Sequence, residues 1–433
     1  MAPWSVERVL QLAPDAASVK AGRALASAAK WPVLGASADA VWGACQGSGK
    51  APYQTVVELA EPAFRCSCPS RKFPCKHAVG LLLLWAGGVV DDADAPEWVG
   101  AWLAERSARA RRAELKAESV KAPDPVAASK RAAQRVDRVS GGVAELSVWL
   151  GDQVGRGLGG LERGGRLELS GVAARMVDAQ APGLASGLRR AAQLVGRGKE
   201  WPGKLLEELS LLHVLVEAFP RLKELPEALA ETVRARLGFV TDTADVREKG
   251  VRVTDRWLVA GLVDDEGDQL ITRRVWLRGL GTGRAALVLS FAPLGRPLDF
   301  SLFPGSVVPG TLAFYPGALP LRALVVEREE PVVAARPYGD SVAVALGSYA
   351  AALALDPWVE RWPVVLSDVV PASTPETWLL SDVDGDALPL VSGFDPLPLL
   401  AVSAGRPLTV AAEWSGAGLR PLSCWDGERP VLL

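Results

Sequence analysis

Histidine is nearly absent from this chain: 433 residues carry two, His77 and His213. Acid–base or triad chemistry built on imidazole therefore has almost no material. Cysteine is sparse and odd in number, five in all, which excludes a disulfide framework and points to a reducing compartment. Long apolar runs are missing as well. The longest, AVGLLLLWAGGVV from Ala78 to Val90, falls short of the roughly 20 residues that a membrane-spanning helix needs. The opening MAPWSVERVLQLAPD has no basic stretch leading into an apolar one, so no signal peptide is expected. Nor does charge of either sign dominate. Lys+Arg is 48 and Asp+Glu is 50, leaving a net of -2. No global field draws the protein to nucleic acid or to an anionic membrane, and any such binding has to be local. These absences together give the expectation of a soluble cytoplasmic protein.

What is present is globular material. Hydrophobic residues make up 49% and charged residues 23%, and the length calls for two or three domains. Residues 1–118 read as a first unit, in which SVERVLQLAPD and AASVKAGRALASAAK form two short helices, with Asp15 capping the second. Strand-like spacing begins at Trp31 and runs through Tyr53, Val56, Val57 and Leu59 around the turn CQGSGKAP. Residues 119–130 (SVKAPDPVAASK) read as a linker. Around it, from Arg106 to Arg138, ten Lys/Arg face four Asp/Glu, the main charge asymmetry of the chain. Residues 131–238 show helical periodicity and are expected to form a bundle of four or five helices. Residues 239–433 read mostly as short strands (RWLVAGLV, QLITRRVWLRGL, RAALVLSFAP, RALVVERE, SVAVALG, WPVVLSDV, TWLLSDV, PLTVAAEW) separated by turns such as DDEGD and DVDGD. That spacing predicts a sandwich-like or barrel-like β-rich domain. The expected fold class is α+β and multidomain: an N-terminal ββα-type module with flanking helices, a central helical segment and a C-terminal β-rich domain.

The chemistry concentrates in twelve consecutive residues, CSCPSRKFPCKH, which hold Cys66, Cys68, Cys75 and His77. Thiolates and imidazole suit Zn²⁺, and four protein ligands leave no open position for water or substrate, the mark of a structural site. Cys66 and Cys68 form one close pair, Cys75 and His77 another, and the six residues between them, with Pro69 and Pro74, allow a compact loop. A set of reduced core cysteines does not come as C-x-C beside C-x-H flanked by Arg71, Lys72 and Lys76. A redox pair would need C-x-x-C, which is missing here.

The pattern C-x-C-x(n)-C-x-H, preceded by paired strands and followed by a helix beginning near the C-x-H, resembles the SWIM-type zinc finger over about residues 40–90, with Cys66, Cys68, Cys75 and His77 in the ligand positions. The run VWGACQGSGKAPYQTVVEL…FRCSCPSRKFPCKHAVGLLLLW is similar to that of large bacterial SWIM-containing proteins. The resemblance implies a binding module, and by analogy protein partners of the MoxR-type AAA+ ATPase or von Willebrand factor A-like class. The family is also associated with DNA binding. Arg65, Arg71, Lys72 and Lys76 around the finger, with Arg109, Arg111 and Arg112 further on, could form a phosphate-contacting surface, or equally a solvated helix face. No aromatic residues interleave with them, against single-strand stacking.

Other signals read as structural. GACQGSGKA imitates a P-loop, but the required glycine is Ala44 and the Ser/Thr position is Ala51. DVDGD imitates the start of an EF-hand loop, but Ala387 and Gly393 stand where Gly and Glu are needed, leaving an acidic turn. His213 reads as a satisfied or half-buried histidine on an apolar helix, Cys45 and Cys424 as ordinary cysteines, and most of the 15 tryptophans as core. No nucleophile–base pair or open metal site is found, so no catalytic residue is expected. The reading is a non-enzymatic adaptor with one structural zinc in a cytoplasmic multi-protein assembly; the alternative is a DNA-binding protein using the finger and the Arg-rich helix.

Overall fold

The computed structural model describes residues 4, 6–13, 16–47, 51–59, 63–70, 74–119, 125–267, 270–293, 298–299, 301–333 and 336–433. Asp15, Arg71 and Lys72 lie outside the described residues.

Helices α1 (Val6–Gln11) and α2 (Ala16–Leu25) precede four antiparallel strands, β1 (Val33–Ala36), β2 (Ala40–Cys45), β3 (Tyr53–Glu58) and β4 (Ala63–Cys66), which lie side by side in chain order. Helix α3 (Lys76–Ala86) covers one face, joining Val41, Cys45 and Val57 in a core with Leu81, Leu82 and Trp85. Helix α4 (Glu97–Ser119) covers the other through Val99 and Trp102, against Ala40, Trp42 and Val56. The period of two along β2 thus feeds two cores, and all six of its residues are buried. Helix α3 is buried from His77 to Trp85, apolar on every side, because α2 closes over its back. That crossing depends on paired glycines. A Cβ on Gly22 would stand 2.5 Å from Val79 Cγ1, and one on Gly80 would stand 2.9 Å from Leu25 Cβ.

The central region is α5 (Pro125–Arg156), α6 (Gly165–Asp178), α7 (Pro182–Leu194), α8 (Trp201–Ala218) and α9 (Glu227–Leu237), packed around Leu146, Leu169, Met176, Leu184, Leu188 and Leu205. Helix α5 begins at Pro125, inside the segment read as a linker; proline suits a first helical position, where its missing N–H has no intrahelical partner to lose. His213 on α8 is exposed rather than half-buried, because it sits on the polar side of a helix whose Leu205, Leu209, Leu212 and Val216 face inward.

After α10 (Thr243–Lys249) come β5 (Val251–Glu266), β6 (Leu270–Gly279), β7 (Ala285–Pro293), β8 (Ser306–Phe314), β9 (Arg322–Arg328) and β10 (Val332–Val333). Their order is β10-β8-β5-β6-β7-β9, and β8 also pairs with β9, so five strands close into a barrel with β7 and β9 parallel. Closure removes the exposed edges an open sheet would leave. Trp257, Val259, Val275, Leu277 and Phe314 fill the interior. The outward residues Leu258, Ala260, Trp276 and Val307 form a second core with Val365, Ala411, Leu422 and Trp425 of the sheet that follows.

That sheet is built from β11 (Arg361–Ser373), β12 (Trp378–Ser381), β13 (Ala387–Pro389), β14 (Leu408–Ser415), β15 (Gly418–Asp426) and β16 (Arg429–Leu432), in the order β13-β12-β11-β14-β15-β16. Two helices accompany it, α11 (Val342–Leu355) ahead of β11 and α12 (Leu397–Ser403) ahead of β14. The sequence SVAVALG, expected as a strand, is the first half of α11. Ser341 Oγ accepts the Val344 amide at 3.4 Å and Asp382 Oδ2 the Val342 amide at 2.9 Å, capping a run of small helix formers. DVDGD is the β12–β13 turn, where Asp382 also accepts the Asp384 and Asp386 amides. The β5 strand approaches β15 so closely that a Cβ on Gly261 would stand 2.4 Å from Leu422 Cβ. Of the tryptophans here, Trp257, Trp276, Trp358 and Trp425 are buried, while Trp362, Trp378 and Trp414 are half-buried.

One charge cluster lies between barrel and sheet. Glu413 on β14, 4% exposed, accepts the Trp276 indole N–H at 2.8 Å, and Arg274 and Arg361 each approach its carboxylate at 3.4 Å. Arg274 also pairs with Asp265. Among the described residues, no helix is long and apolar enough to cross a membrane.

Candidate metal centre

Cys66 ends β4, where the antiparallel register sets it opposite Thr55 of β3. The chain then turns. The Ser67 amide donates to the Gln54 carbonyl at 2.9 Å and the Gln54 amide to Ser67 Oγ at 3.0 Å, placing Cys68 next to Cys66. Cys75 is the residue ahead of the first turn of α3 in extended conformation, and His77 lies within that turn. Cys75 and His77 are buried, and Cys66 and Cys68 are half-buried. The four ligand atoms all lie within 4.8 Å of one another.

The spacing fits a single tetrahedral ion. Zn–S bonds of about 2.3 Å and Zn–N bonds of about 2.0 Å put neighbouring ligand atoms roughly 3.5–3.8 Å apart. His77 Nδ1 stands 3.7 Å from Cys66 Sγ and 4.0 Å from Cys75 Sγ. The Cys66, Cys68, Cys75 and His77 cluster fits one structural zinc ion, held by S₃N donors with no position left for substrate.

The electrostatics carry the same message. Cys66 is held down to about 4, first by the hydrogen bond from the Cys75 thiol and, against the cost of burial, by His77 and Thr55. Cys75 is pushed far up by that same shared hydrogen bond and by burial, and burial pushes Cys68 up. Three thiols this close ionise together only when a cation neutralises them. Outside the ligands, Thr55 Oγ1 lies 3.1 Å from Cys66 Sγ, and the Tyr53 ring lies against the imidazole with centroids 4.9 Å apart. Sequence reasoning gave Tyr53 only as a strand residue and did not single out Thr55, because burial and the register that sets Thr55 opposite Cys66 come from the strand pairing. Cys45, one strand away, is buried and pushed up, first by burial and then by the Cys66 charge. Cys424 is buried in β15 and pushed up to about 12 by burial and by Asp426, remote from the cluster.

The basic residues divide. Lys76 on α3 is exposed beside the ligands, whereas Arg65, also exposed, pairs with Val56 on the face of the sheet that α4 covers. Arg111 and Arg112 are exposed on α4 itself, and Arg109 falls on that helix too. Arg106 is tied to Glu58 at 2.6 Å and lies over the Trp102 ring. GACQGSGKA begins in β2 and runs toward β3, and its residues 48–50 lie outside the described residues.

Residues 61–86 match the SWIM zinc finger family. Residues 134–237, the α5–α9 region, match the SWIM-associated four-helix bundle domain. The chain therefore carries a SWIM zinc finger and the helical domain that accompanies it. No curated protein and no solved structure matches the chain.

Proposed function

We propose that this protein is a non-enzymatic adaptor that uses its zinc finger as a rigid structural element and joins a cytoplasmic multi-protein assembly. The observation that supports this most directly is the surface of α11. The helix holds no charged residue over its length, yet Val344 is 57% exposed, Leu346 37% and Leu355 50%. A helix surface with no charge and with large apolar side chains left exposed along it is what an interaction surface offers. The closed donor set of the zinc cluster agrees with a structural role for the metal. A MoxR-type AAA+ ATPase or a von Willebrand factor A-like protein is the partner class that the family resemblance implies.

Affinity capture from the native host tests the reading, comparing the parent with a Val344→Glu, Leu346→Glu double variant. A co-purifying protein that drops at least tenfold in the variant is expected. Equal recovery, or no specific companion at all, removes the adaptor reading. DNA binding is the second reading, favoured by the exposure of Lys76 beside the ligands and of Arg65, Arg111 and Arg112 on the α4 side of the sheet. It requires an affinity for duplex DNA that falls steeply with salt, and no binding at low salt ends it.

A further inference from the structure

A cavity of about 490 Å³ opens where the barrel, α11 and β11 meet. This is a volume suited to a small molecule, and a junction of structural units is a common place for one. Leu319, Leu321, Leu355 and Val364 supply apolar lining. The charged lining is lopsided: Arg278 and Arg284 bring two guanidinium groups, and Asp340 brings one carboxylate. Arg278 and Asp340 approach each other at 3.5 Å. Arg284 has no carboxylate partner among the described residues. Its guanidinium lies over the Phe314 ring, 3.9 Å from the centroid, and burial pushes its pKa down. A partly desolvated cation without a counter-charge carries a cost that a bound anion would recover.

The walls are fixed in advance. The β6–β7 turn that presents Arg284 is braced by Asp255, which accepts the Gly281 amide at 2.9 Å, the Thr282 amide at 2.8 Å and the Thr282 hydroxyl at 2.7 Å. The β8–β9 turn facing it is held by the helical domain, where Thr232 Oγ1 of α9 accepts the Ala318 amide at 2.8 Å. The C-terminal end of α11 is anchored by the buried Asp356, paired with Arg236 of α9 at 2.6 Å, and the Trp358 indole donates to the Leu211 carbonyl of α8 at 2.9 Å. A site pre-shaped in this way loses little ordering entropy on binding.

We propose that this cleft binds a small molecule with an apolar body and a single carboxylate, the carboxylate on Arg284 and the body against α11 and β11. One unmatched positive charge calls for one negative charge; a dianionic phosphate would bring a second charge with nothing to balance it. A planar carboxylate also matches the guanidinium fork. The site is separate from the zinc cluster and does not rest on the adaptor role, although it shares Leu355 of α11 with that surface.

Isothermal titration calorimetry on the full chain, zinc loaded, tests this with octanoate, 1-octanol and octylammonium as probes. Octanoate is expected to saturate at one per chain, at least tenfold tighter than 1-octanol, with octylammonium silent. Arg284→Gln should weaken octanoate at least tenfold and leave 1-octanol unchanged, while Arg284→Lys, which keeps the charge but loses the fork, should fall between the parent and Arg284→Gln. Ser348→Trp, which places an indole in the cavity from an exposed position on α11, should abolish binding of both octanoate and 1-octanol. Unchanged thermal melts of the variants show that the fold is intact. Absence of saturable octanoate binding, equal affinity for 1-octanol, or an Arg284→Gln variant that binds octanoate like the parent overturns the proposal.

Discussion

In the N-terminal module four ligand atoms from one twelve-residue run converge on a point, and two strands and a helix are fixed around them. From Val251 onward order is assembled from residues far apart in the chain. Arg274 meets Glu413, Gly261 meets Leu422, and β9 returns to close against both β7 and β8. The first strategy concentrates stability in a few short-range bonds, so a single atom can cost the whole module. The second spreads it over two packed cores, one inside the barrel and one between barrel and sheet, so single losses are partial. The first folds when its metal arrives, whereas the second must close long loops before its contacts repay the entropy.

The contrast can be broken most sharply at Cys75. A structural zinc site contributes about 10–16 kcal/mol of apparent binding free energy, more than a small module has in reserve. Cys75→Ser is expected to bring zinc from one per chain to near zero by mass spectrometry. Hydrogen exchange should then rise across α3 and β2–β4 and stay unchanged across the bundle and the barrel. Cys424→Ser, remote from the cluster, should keep its zinc. Loading also has a direction in pH. Because Cys68 and Cys75 are held above the ordinary thiol range, binding must expel their protons, so zinc affinity falls as pH falls.

The next effect in size belongs to the other half. Glu413→Ala removes the buried carboxylate shared by Arg274, Arg361 and the Trp276 indole, leaving Arg274 poorly compensated. A loss of about 3–5 kcal/mol is expected in the urea unfolding of the C-terminal region, with zinc content unchanged. If zinc falls too, the two halves are not the separate stability units described above. Gly80→Ala sharpens the comparison within the module, because its methyl group would stand 2.9 Å from Leu25 Cβ and push α2 away from α3. The cost, about 1–3 kcal/mol by thermal melting of the zinc-loaded protein, is that of overpacking. The mildest change is Thr55→Val, which keeps the shape but removes the hydroxyl beside Cys66. Chelator competition should show zinc affinity lowered by roughly tenfold, the usual cost of a lost outer partner, with the melt of the loaded protein close to the parent.

Much of this was legible beforehand where the signal was local. The C-x-C and C-x-H pairs identified the donor set, and the 3.6-residue period of residues 131–238 marked the helices. The alternation along β5 and β6 marked strands, although it could not say that β8 and β9 would close them into a barrel. SVAVALG misled because three alternating apolar residues look the same at the start of a strand or of a helix. Ser341 and, from forty residues away, Asp382 decide it by capping the first turn of α11. His213 misled for the related reason that an apolar neighbourhood in sequence does not say which side of the helix a residue takes.

By itself the sequence determined which residues can hold the metal and that residues 131–238 are helical, since ligand type and periodicity act within a few residues. Only the tertiary structure decided that the barrel closes, that Arg274 and Glu413 share a buried site, and that Arg284, with no carboxylate partner among the described residues, lines a cavity. Those facts depend on strand registers and packing between segments far apart in the chain, where the geometry of the approach, and no local preference, sets which charges meet.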